Sequence, residues 1–134
     1  MEKLVLDEAY AKIYVSESDK YIRLVWKGYV QGEKFQKVLN TGLKLVLDHQ
    51  LEAWYADLRE MSVIKKSDQK WTDDVWFPKM IKTPLLKMGV LNSKDVFNRF
   101  GTDQILTKAS NIVPFDIRNF NNEDECYEWI RSKD

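Results

Sequence analysis

The feature that most restricts this chain is a helix-length apolar repeat standing between two strictly alternating segments. From Tyr21 to Lys27, Ile22, Leu24 and Trp26 point one way, and Tyr21, Arg23, Val25 and Lys27 point the other. Trp54 to Leu58 repeats the pattern, with Trp54, Ala56 and Leu58 opposed to Tyr55 and Asp57. Period-two alternation is the mark of a strand with two unlike faces. Between them, from about Glu33 to Asp48, Phe35, Val38, Leu39, Gly42, Leu43 and Val46 fall within one arc at helical spacing. A helix of that length joins parallel strands through a right-handed crossover. Gly42 costs about 1 kcal/mol relative to alanine in a helix. Its place on the apolar stripe implies a close approach of helix to sheet. His49, just past the helix end, suits the negative end of the dipole.

The same two periodicities order the rest. Ala11 to Val15 alternates and is joined to the Tyr21 strand by the polar turn Glu17-Ser18-Asp19-Lys20, which reads as a hairpin. Leu86 to Leu91 is a short strand, and Asn92-Ser93 is a helix start followed by Val96, Phe97 and Phe100. Gly101-Thr102 is expected to kink or restart that helix before Ile105, Leu106 and Ala109. Pro114 to Arg118 is the last strand. Asn122 to Glu125 then has the N-x-x-E form of a capping box and opens a helix burying Cys126, Trp129 and Ile130. The order β-β-α-β-α-β-α-β-α predicts one α/β domain over residues 1–134, with an opening hairpin and then β-α repeats. The sheet is mixed, mainly parallel and five-stranded, with four helices mostly on one face. The strands carry that last point, because parallel strands covered on both faces read as continuous apolar runs. Here the second face carries Tyr14, Arg23, Tyr55, Asp57, Lys87, Asp116 and Arg118. It is expected to be solvated, or to serve as the contact of a homodimer.

The stretch from Trp54 to Pro78 joins a strand, a polar loop and an aromatic-rich helix. Ser67-Asp68 reads as the helix start, since a serine oxygen accepts a free backbone N–H and an acid suits the positive end of the dipole. At 100° per residue, Trp71, Val75, Trp76, Phe77, Met80 and Ile81 spread almost all round the helix. Either the helix breaks near Pro78, or all of these side chains are core, or some face solvent or a partner. With Trp71 and Val75 together on the core stripe, Trp76 and Phe77 are then the candidates to face outward.

Composition excludes several functions. Lys and Arg together number 21, equal to Asp and Glu, so no net charge draws the chain to nucleic acid. Lys65, Lys66, Lys70 and Trp71 form the one basic cluster near an aromatic, offset by Asp68, Asp73 and Asp74. One cysteine and one histidine rule out an internal disulfide and a zinc site, and no cofactor motif occurs. No signal peptide and no membrane-spanning run of about 20 apolar residues is seen, so a cytoplasmic location is expected. Asp73 and Asp74 point about 100° apart on a helix and do not form an acid/base pair. Ser67, His49 and Asp57 are the residue types of a triad, but His49 should lie at the opposite end of the strand that carries Asp57.

Val25-Trp26-Lys27-Gly28 leading into the first helix, Ala56-Asp57-Leu58-Arg59 ending a strand, and Trp76-Phe77-Pro78 resemble the STAS and SpoIIAA-like superfamily, including its STAS/SEC14-type branch. The resemblance runs from Ile13 to Ile130 and rests chiefly on the order of elements. It implies a bacterial, non-enzymatic regulatory module that works by protein contact. In STAS anti-sigma antagonists a partner kinase phosphorylates the first serine of Asp-Ser-Ser-Gly at a helix start. Counted without gaps from Asp57, Lys65-Lys66-Ser67-Asp68 stands over that motif, so Lys66 occupies the phosphorylated position and Ser67 matches the second serine. The docking edge is expected at Asp57, Arg59, Lys66, Ser67, Trp71, Trp76 and Phe77, since aromatics and arginine anchor interfaces. The SEC14-type side of the resemblance implies an alternative: a small-molecule or lipid-binding domain with an apolar pocket between the aromatic helix and the sheet.

Overall fold

The computed structural model describes residues 1–133. The chain runs through β1 (Lys3–Asp7), β2 (Ala11–Ser16), β3 (Tyr21–Gly28), α1 (Gly32–His49) and β4 (Ala53–Met61). There follow α2 (Lys66–Trp71), a π-helical stretch (Thr72–Trp76) and α3 (Phe77–Met80), which form one continuous helical run. The last elements are β5 (Lys87–Leu91), α4 (Val96–Ser110), β6 (Asp116–Phe120) and α5 (Glu123–Arg131). The strands lie in the order β1-β2-β3-β4-β5-β6. The pairs β1/β2 and β2/β3 are antiparallel, and the others are parallel.

An order that never reverses sends every right-handed crossover to the same side of the sheet. Accordingly α1, the α2–α3 run and α4 all bury residues in one core with Ile22, Leu24, Trp54, Ala56, Met88 and Val90. The helix α5 follows the last strand and is free of that constraint. It packs Cys126 and Ile130 on the other face, against Tyr21, Ala53, Tyr55 and Leu91. The helices are thus mostly on one face, as expected. The middle of the second face is nevertheless covered, and Tyr55 and Lys87 lie buried rather than solvated.

The sheet has six strands rather than five. The strand missed is β1, whose Lys3-Leu4-Val5-Leu6 does not alternate because a bulge between Leu4 and Leu6 shifts the register against β2. Gly42 meets the expectation of close approach: a Cβ there would fall 3.0 Å from Cζ3 of Trp54 and closer still to the outer edge of the indole. Gly101 neither kinks nor restarts α4, which is continuous to Ser110. The last helix has the cap read from its sequence, with Asn122 Oδ1 accepting from the Glu125 N–H at 3.0 Å.

Candidate functional site

The carboxyl ends of the parallel strands form one edge of the sheet. Near the end of β4, Asp57 is 3% exposed and accepts from Arg59 Nε at 3.1 Å, Nη2 at 2.9 Å and the Arg59 N–H at 3.2 Å. The Arg59 guanidinium also reaches Glu123 Oε2 at 2.6 Å. Asp57 is therefore not a free acid. Its role is to fix a half-exposed arginine at the strand end by a bidentate pair.

Beyond β4 the loop places Lys65, Lys66 and Ser67 in the open. The helix is capped two residues earlier than expected. Lys65 is its N-cap with no side-chain cap bond, so Ser67 stands exposed in the first turn and does not cap it. Asp68 turns inward instead, where its Oδ2 accepts from the Gly32 N–H at 3.0 Å and ties α2 to the start of α1. Trp71 is half-buried and edge-on to Phe35, with ring centroids 6.3 Å apart.

Trp76 and Phe77 do not face outward. Each is 2% exposed. Trp76 stands edge-on to Trp54 at 5.0 Å and donates its indole N–H to the Leu39 carbonyl at 2.9 Å. The reason lies in the turn upstream. The Phe77 N–H bonds to the Thr72 carbonyl, five residues back, so the chain rotates less per residue there than in an α-helix. That slower rotation brings Thr72, Trp76, Phe77 and Met80 to one side. Pro78, which has no N–H and would crowd the carbonyl four residues earlier, follows directly on the widened turns.

The apolar surface at this edge comes from α4. Its buried residues begin with Asn98, Gly101 and Thr102, while Val96, Phe97 and Phe100 are 58%, 71% and 68% exposed. The first half of the helix is thus turned inside out. Asn98 Nδ2 donates to the Ser62 carbonyl at 2.7 Å, and the Thr102 hydroxyl donates to Asn98 Oδ1 at 3.0 Å. These bonds satisfy the buried polar groups. Gly101 lies against the carboxamide of Gln69, which in turn donates to the Ile64 carbonyl at 2.7 Å. Phe97 stands one helical turn before Gly101 on the same flank of α4. Val63, on the intervening loop, is also exposed.

Sequence patterning missed this patch because Val96, Phe97 and Phe100 read as core residues whichever way the helix turns. The available signal was Asn98 and Thr102, four apart on the same stripe as Ile105.

His49, Asp57 and Ser67 are not brought together. His49 ends α1 at the far end of the sheet and pairs with Glu17 at 3.0 Å, remote from Asp57 and Ser67. Asp74 pairs with Lys70 at 2.6 Å, whereas Asp73 is nearly buried with its Oδ1 unbonded. Burial raises the Asp73 pKa against the pull of Lys108. No cluster of three metal-ligating side chains and no helix able to cross a membrane occurs among the described residues. Between the aromatic helix and the sheet lies an apolar cavity of about 70 Å³, lined by Trp26, Trp54, Trp76, Phe77 and Met88 among others. Pockets for small molecules run to about 300–1,000 Å³.

No protein-family profile matches the sequence, and neither does any curated protein. Solved structures do match the fold. An uncharacterised protein of the DUF3478 family from Shewanella loihica PV-4, described as having a SpoIIAA-like fold, superposes with a TM-score of 0.63 at 12% identity over 97% of this chain and 95% of that one. The chain therefore has a SpoIIAA-like fold. Apo-SiaC from Pseudomonas aeruginosa matches this fold with a TM-score of 0.53 at 11% identity, over 89% of this chain and 98% of SiaC.

Proposed function

We propose that this SpoIIAA-like domain is a non-enzymatic regulatory module that docks a protein partner at the carboxyl edge of its sheet. The docking surface comprises Arg59 (held by Asp57), Lys66, Ser67 and the exposed rim of Trp71, together with Val63, Val96, Phe97 and Phe100. Trp76 and Phe77 belong to the core and leave the interface. The observation that carries this reading is the inversion of α4, which holds asparagine and threonine inside and two phenylalanines outside. Polar side chains held inside while two phenylalanines stand outside fit a face that a partner covers, since adjacent exposed aromatics mark contact surfaces.

The position of Lys66 refines the reading. A lysine stands where the superfamily's phosphorylated serine would be, so docking here is constitutive, or is switched elsewhere. The alternative of a lipid or small apolar ligand loses support from the size of the cavity beneath Trp76.

A photo-crosslinking residue placed at position 97 or 100 in the source cells tests the proposal. It should trap one protein that the same residue at Lys44, on the outer face of α1, does not trap. Equal trapping at both positions would remove the basis for this surface.

A further inference from the structure

Away from that edge, one cluster of side chains is built around a carboxylate that the chain itself supplies. Glu2, just ahead of β1, reaches into the helix-poor face of the sheet. Its Oε2 accepts from the Tyr21 hydroxyl at 2.6 Å, the Tyr127 hydroxyl at 3.0 Å and Arg23 Nε at 3.0 Å, and its Oε1 accepts from Arg23 Nη2 at 2.7 Å. Tyr21 and Arg23 stand on β3, and Tyr127 stands on α5. The guanidinium is braced from both sides, 4.1 Å from the Tyr14 ring and 5.8 Å from the Tyr127 ring. Burial opposes the charge on Glu2, but the bonds from Arg23 and Tyr21 outweigh it and hold the carboxyl below its ordinary range. Every donor belongs to the body of the domain. Only the acceptor belongs to the β1 segment.

That segment is otherwise lightly held. β1 pairs with β2 alone, across a bulge, and of its side chains only Leu6 is even half-buried. The ladder to β2 and the grip on Glu2 keep it in place, helped by Leu6 against the core, the exposed Asp7–Lys12 ion pair and the Met1 amino group on Ser18. When it lifts, β2 becomes an open edge able to pair with another extended chain, and the donors lose their acceptor. Buried donors left without an acceptor are costly.

We propose that Tyr21, Arg23 and Tyr127 form a carboxylate receptor, that Glu2 is its internal occupant, and that an extended partner segment bearing an acidic residue takes the same place in exchange for β1. The chemistry of the occupant follows from the donors. An arginine fork with two hydroxyls on one oxygen matches a planar carboxylate, and the open edge of β2 requires an extended backbone beside it. The chain's own Glu2-Lys3-Leu4-Val5-Leu6 has that form. This site is separate from the docking edge at α2 and α4, and either can fail without the other.

The full chain carrying Glu2→Ala, with Glu2→Gln as a second variant, tests the proposal by hydrogen exchange and NMR. In both variants the amides of β1 should exchange about 10-fold faster, the scale of one lost charge-assisted bond, while those of β3 to β5 stay unchanged. In Glu2→Ala, sodium acetate should shift the Arg23 Nε–H resonance and raise the melting temperature relative to sodium chloride of equal ionic strength. Adding Arg23→Lys should remove that effect. A peptide spanning Met1–Glu8 should bind the Glu2→Ala chain at least about 10-fold more tightly than the same peptide with Glu2→Gln. Unchanged β1 exchange in both variants, no acetate-specific response in the folded chain, a stronger response to phosphate than to acetate, or equal binding of the two peptides would each overturn the proposal.

Discussion

Asn98 donates its carboxamide to the carbonyl of Ser62 at 2.7 Å, from the buried side of the helix whose outer side shows Phe97 and Phe100. That bond pins the start of α4 to the loop after β4 and fixes which way the helix faces. Asn98→Ala should therefore cost about 1–3 kcal/mol, since it strands the Ser62 carbonyl and removes the acceptor of the Thr102 hydroxyl. Phe97→Ser and Phe100→Ser should each change stability by no more than about 0.5 kcal/mol, as substitutions of exposed residues do. Urea midpoints of the three variants check the contrast. A large loss from either phenylalanine would mean that α4 faces the other way.

Trp76 behaves as a core anchor. Trp76→Ala should cost about 3–5 kcal/mol by the cavity it leaves. Trp76→Phe should cost less, since it keeps most of the packing on Trp54 and gives up the bond to Leu39. Chemical denaturation of both variants gives the ordering. Near-wild-type stability for Trp76→Ala would restore it to the surface.

The strand faces were legible because they alternate, and the one-sided helices followed from that and from the order of elements. What escaped has a physical cause in each case. The bulge at Leu4/Leu6 hides β1 from a period-two reading. The π-helical stretch before Phe77 breaks the 100° rule, which left open whether Trp76 and Phe77 are core or surface. Asp57 and Arg59 could be placed near a strand end, but their bidentate pairing and the burial of Asp57 could not be read from the sequence. The inverted half of α4 escaped because apolar residues at helical spacing are assigned to the core by default.

Two carboxyl groups should give opposite pH dependences in the acid range. Glu2 has a lowered pKa, held down by Arg23 and Tyr21 against its burial. Its contribution is present above the unfolded value of 4.5 and is lost as pH falls through the lower folded value. Asp73 has a pKa raised by burial, so the folded state loses stability as pH rises from 3.8 through the higher folded value. Glu2→Gln should thus destabilise at neutral pH, with a deficit that shrinks on acidification. Asp73→Asn should stabilise at neutral pH, with a gain that disappears below about pH 4. Thermal melts across pH 2.5 to 7 (about one-half-unit steps suffice) read both signs.

Cys126 is buried against β5 and Tyr55, and burial pushes its thiol up to about 12. A thiol reagent at pH 8 should leave the native chain unmodified and label it fully in denaturant, because the thiolate is the reacting form. Rapid labelling of the folded chain would show that α5 opens readily.

The central claim is that the outward phenylalanines of α4 are a surface for a protein partner. The most direct measurement is quantitative co-purification from source cells of the wild-type chain and of Phe97→Ser/Phe100→Ser, with melting temperatures taken on the same preparations. The account predicts equal folding and the loss, by at least about 10-fold, of a specific protein that the wild type retains. An unchanged set of retained proteins, with the double variant equally folded, would contradict it.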